Sequence, residues 1–151
     1  MVDPAIYLRA LLVADAGIIA QVGTDARSAV RVYIGGLGSG VPQADAGLMP
    51  RKCAVILASG GSPVGRRMPL LRPLFWIRCY GASILEAMEV YAAIFEALQR
   101  QQNQKVTVSG SNSYLYWSEL NIEVQVLPEP TTEWPCVGSP FSCTFYEDAV
   151  A

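Results

Sequence analysis

Residues 74–98 limit the fold of this chain more than any other part of its sequence. Residues 74–80 form an apolar run of strand length, and Ser83 with Glu86 forms a capping box that begins a helix directly afterwards. The apolar residues of this helix recur at helical spacing, whereas its glutamates lie off the apolar stripe. Because an amphipathic helix depends on burial of its apolar face, the rest of the chain has to provide a surface for it.

Most of the remaining periodic segments have the pattern of strands. They lie at residues 29–34, 52–59, 105–109, 119–126 and 141–146. The alternation of apolar and polar residues is most regular in residues 119–126, so one face of that strand is expected to be covered and the other solvated. Because the segments that join consecutive strands contain no helical pattern, we expect antiparallel pairing.

A second helical region opens the chain. Residues 4–13 are predicted to be helical, and Asp15, Gly17 and Gly23 predict a corner followed by one more short helical turn. Two amphipathic helices suffice to cover one face of a sheet. The sequence therefore predicts an α+β fold, a two-layer sandwich with a mainly antiparallel sheet and two main helices packed on one face, in a single domain over residues 1–151.

The composition argues against catalysis. Of the 151 residues, 16% are charged and 52% are hydrophobic, whereas typical soluble domains contain about 25% charged residues. The chain contains no histidine, which is the commonest general base and metal ligand. Its four cysteines match no metal or redox spacing and are expected to be buried apolar side chains: Cys53, Cys79, Cys136 and Cys143. We therefore expect no enzyme, no cofactor and no catalytic or metal-binding residues.

The apolar runs of the sequence are short. The longest, such as residues 53–58 and 91–95, fall far below the roughly 18 residues that a membrane helix needs. No charged and then apolar signal segment opens the chain. We expect a soluble protein that is made in the cytoplasm and does not contact a membrane.

Charge is distributed unevenly along the chain. Residues 27–78 contain eight Lys or Arg against one acid, Asp45, a net charge of +7. Residues 106–151 contain six acids and no Lys or Arg, a net charge of −6. If the two segments fold onto opposite flanks, the positive side of one copy meets the negative side of the next, which is the complementarity that closes rings.

The segment at residues 59–73 combines apolar and basic side chains, which is unusual for a solvated loop. It is rich in glycine and proline, and it contains Arg66, Arg67, Met68, Leu70, Leu71 and Arg72. This composition favours a segment that docks on another surface. The alternative is a loop folded back on the core of its own chain.

Several strings resemble the tail terminator and tail completion proteins of long-tailed bacteriophages. They are the Asp15-Ala16-Gly17 corner, the Val30-Arg31-Val32-Tyr33 strand, and the segments at residues 50–57, 75–87 and 134–148. The resemblance covers most of the chain and depends on patterns of apolar residues. The sequence departs from the usual pattern in its glycine-rich segment at residues 35–50 and its proline-rich segment at residues 128–140.

The resemblance implies a structural virion protein. Members of that family are small α+β proteins that form a hexameric ring on the finished tail tube, stop its polymerisation and offer their upper face to the head connector. The implied partners are other copies of the chain, the tail tube protein below and a head connector or stopper protein above, with DNA passing through the lumen. The implied location is the head-tail interface of a virion assembled in the host cytoplasm.

The charge pattern, read with this resemblance, predicts the contact between subunits. The basic loop residues of one subunit are expected to face an acidic C-terminal segment of the next, at Glu129, Glu133, Glu147 and Asp148. Two alternatives differ in class. One is a head-side connector or stopper ring, or a tail tube subunit; the other is a small cytoplasmic ligand-binding domain or enzyme with a pocket lined by Glu86, Tyr91 or Tyr116.

Overall fold

The computed structural model describes residues 4–24, 28–35, 52–61, 70–71, 73–100, 104–108, 111–120, 123–127 and 134–147. Within these ranges the chain forms helices α1 (Pro4–Val13), α2 (Ala16–Val22) and α3 (Ile84–Arg100). The strands are β1 (Val32–Ile34), β2 (Cys53–Gly61), β3 (Leu70–Leu71), β4 (Pro73–Tyr80), β5 (Gln104–Val108), β6 (Ser111–Leu120), β7 (Gln125–Leu127) and β8 (Cys136–Glu147). The predicted α+β class is confirmed.

Strand β8 is the centre of the sheet. The strand order is β1-β2-β4-β8-β6-β5, and β8 is long enough to pair with two strands on each side. Strands β4 and then β3 follow one side of β8, while β7 and β6 follow the other side. Every pairing in the sheet is antiparallel except that of β1 with β2, which is parallel. The antiparallel prediction is wrong for β1 and β2. Two parallel neighbours need a long connection from the end of the first strand back to the start of the second, and residues 35–52 are numerous enough to provide it.

The helix ends follow the local sequence signals. The Asp15 side chain accepts from the backbone N–H of Ile18 at 3.1 Å, and Gly23 ends α2 with φ 65°. At the start of α3, the N–H of Glu86 donates to Ser83 Oγ at 3.3 Å. The Glu86 carboxylate accepts from the N–H of Ala82 at 2.7 Å. The predicted corner and capping box are confirmed, with the return bond shifted by one residue to Ala82.

The main core lies between the helices and one face of the sheet. Its largest fully buried side chains include Leu8, Leu12, Ile18, Ile56, Phe75, Ile77, Ile94, Phe141 and Phe145. A second apolar cluster lies on the opposite face, because Cys53 and Val55 alternate along β2 with core residues Ala54 and Ile56. This second cluster also buries Tyr33, which the alternation of residues 29–34 places on the polar side of a half-buried strand.

The predicted strand at residues 119–126 is wrong as a single element. Strand β6 ends at Leu120, and β7 begins at Gln125 on the same side of β8. The interruption lies opposite Ser139 and Pro140 of β8, since β6 pairs from Phe141 onwards and β7 pairs up to Gly138. Proline has no N–H to donate to a neighbouring strand, which accounts for a break at this place.

Candidate functional site

The structure describes three of the predicted subunit-contact residues. Leu70 and Leu71 form β3 and pair with Tyr146 and Phe145 of β8 in the same chain, and Glu147 is the last residue of β8. These three residues therefore meet at one end of the sheet. The remaining residues of the predicted contact lie outside the described ranges: Arg66, Arg67, Met68, Arg72, Glu129, Glu133 and Asp148. The contact between subunits stays a prediction.

The two charged segments form opposite sides of the sheet. Strands β1 to β4 come from the basic segment, and all of them lie on one side of β8. Strands β6 and β7 lie on the other side of β8, and these three strands come from the acidic segment. Lys105 of the edge strand β5 precedes the acidic segment by one residue and is an exposed basic residue on the acidic side. Of the charged residues in these two segments, the structure describes the side chains of Arg31, Lys52, Arg78 and Glu123, so the difference in charge between the flanks, which ring closure by head-to-tail contacts needs, stays a prediction.

A groove of about 990 Å³ runs between α2 and α3. Its walls consist mainly of small or apolar residues, namely Ala16, Gly17, Met88, Ala92, Ala93 and Phe95. Three carboxylates border it, those of Asp15, Glu89 and Glu96. The groove was not predicted from the sequence, although the adjacent short side chains of Ala92 and Ala93 on α3 are a signal that could have indicated it.

Lys52 connects the two helices at one end of this groove. Its Nζ lies 2.6 Å from Glu89 Oε2 on α3 and 3.1 Å from Gln21 Oε1 on α2. Lys52 is half-buried and directly precedes β2. The ion pair and the hydrogen bond thus link the start of β2 to both helices.

The residues proposed for a ligand pocket do not come together as a set. Tyr91 lines the groove, and its hydroxyl accepts from Ser139 Oγ of β8 at 3.2 Å. Burial raises the pKa of Tyr91, and the bond from Ser139 partly opposes that shift. Glu86 is occupied at the cap of α3, and the side chain of Tyr116 lies outside the described part of the structure.

All four cysteines are buried and none forms a disulfide, as the sequence predicts. Burial raises the pKa of the Cys143 thiol to about 12, and it raises that of Cys79 well above its usual range. These two thiols therefore stay protonated at neutral pH and are poor nucleophiles. Within the described ranges, no group of three or more Cys, Asp or Glu side chains is placed to hold a metal ion.

No protein-family model and no curated protein matches this sequence. Among the helices that the structure describes, none is long and apolar enough by itself to cross a membrane. Helices α1 and α2 reach that length and composition only together, and they are bent by 85° at the corner between them. Their buried residues pack in the main core.

Proposed function

We propose that this chain is a structural virion protein that forms a ring, caps the tail tube of a long-tailed phage, ends its polymerisation and provides the head-tail joining surface. The observation that supports the proposal is the order of the strands around β8. The described strands of the basic segment lie on one side of β8, and those of the acidic segment are β8 itself and the strands on its other side. A subunit with complementary flanks associates head to tail, and such contacts close into a ring when the rotation between neighbours permits it.

The capping action follows from the geometry of a ring. A closed ring has two different ends, so it can match the last ring of a tube with one end and present a different surface with the other. Further tube subunits then find no complementary surface, and polymerisation stops. The proposed partners are therefore the tube protein on one side and a head connector or stopper on the other, with DNA passing through the lumen.

The first experiment measures the mass of the purified chain by light scattering at low and high salt, alone and with assembled tubes of a long-tailed phage tail tube protein. We expect a ring of about six copies or a ring that forms on the tube end. Salt should weaken it because exposed charge pairs are screened. Arg66→Glu with Arg67→Glu should abolish the ring. A separate variant, Lys105→Glu, reverses a charge on the other side of β8 and serves as the control, which should leave the ring intact. A solitary chain under all conditions, including with tubes, would contradict the proposal.

Two other functions have an observation in their favour. A head-side stopper ring or a tube subunit would use the same complementary flanks. The length of tail tubes assembled in the presence of the chain distinguishes both from the proposed cap, because only a cap shortens the tubes. A ligand-binding domain would use the groove, whose volume of about 990 Å³ is at the upper end of the range for small-molecule sites. Binding of a small compound to a chain that never self-associates would favour that alternative.

A further inference from the structure

We draw no further inference here: the strongest candidate, the exposed apolar face of α2 formed by Ala16, Gly17, Ile19 and Ala20, carries nothing because nothing in the structure shows what covers it.

Discussion

Removal of one hydroxyl group at Tyr91 tests how α3 is held on the sheet. Ser139 is completely buried on β8 and donates to the Tyr91 hydroxyl at 3.2 Å. Tyr91→Phe leaves the Ser139 hydroxyl buried without this partner, so we expect the free energy of unfolding to fall by about 1–3 kcal/mol. Urea unfolding followed by circular dichroism, at a protein concentration where the chain is monomeric, measures the change.

Substitution of the donor tests the same bond. In Ser139→Ala the buried Tyr91 hydroxyl loses its donor, and we expect the free energy of unfolding to fall by about 1–3 kcal/mol. The double variant removes both polar groups and should recover part of the stability, which gives a coupling energy of about 1 kcal/mol. Additive effects of the two substitutions would show that the hydroxyls do not interact.

Tyr7 provides the matched control. It is 2% exposed, and its hydroxyl has no hydrogen-bond partner in the described structure. Tyr7→Phe therefore removes a buried polar atom without breaking a bond and should leave stability unchanged or raise it by about 1 kcal/mol. If Tyr91→Phe is as harmless as Tyr7→Phe, the reasoning about Ser139 is refuted.

Three further substitutions have outcomes that the structure determines. Burial raises the pKa of the Cys143 thiol from its ordinary value of 9.0 to about 12. Between these two pH values the unfolded chain has lost the thiol proton while the folded chain keeps it. The free energy of unfolding therefore falls by about 1.4 kcal/mol per pH unit in this range. Cys143→Ala should weaken that alkaline loss in unfolding curves recorded at neutral and at alkaline pH; an unchanged pH dependence contradicts it. In Gly81→Ala the new methyl group would lie 2.9 Å from the backbone nitrogen of Ala87, and we expect a loss of about 2 kcal/mol or more in denaturant titration. Asp15→Ala removes the cap of α2 and should lower the free energy of unfolding by about 1 kcal/mol. Asp15→Asn keeps a side-chain acceptor and should lose much less stability. Equal losses in the two variants would show that the cap bond contributes nothing.

Features that depend on neighbouring residues could be predicted from the sequence. The capping box at Ser83 and the corner at Asp15 involve bonds between residues three apart, so the sequence alone contains both partners. Strands β2 and β4 could be found for the same reason, because their apolar runs are bounded by local turn signals.

Features that depend on residues distant in the sequence could not be predicted from the sequence alone. The alternation in residues 119–126 predicts one covered face, but Val126 on that face is 66% exposed, and the strand is interrupted opposite Ser139 and Pro140 of another strand. Burial of Tyr33 depends on the second cluster, whose members come from β2, β4 and β8. The groove depends on how α2 and α3 are oriented, and Lys52, which lies outside both helices, bonds to Gln21 of α2 and Glu89 of α3. None of these relations has a signature within one segment.

The position of the two apolar clusters limits how copies of this chain can associate. The helices cover one face of the sheet, and the second cluster with Trp134 covers the opposite face beside Tyr80. Stacking of sheets face to face would have to displace one of these coverings. The flank at β1 is partly protected as well, because Arg9 donates to the carbonyl of Val32 at 2.6 Å and occupies an outward-facing acceptor of the edge strand. Contact through the charged segments, as in the proposed ring, would leave both clusters in place.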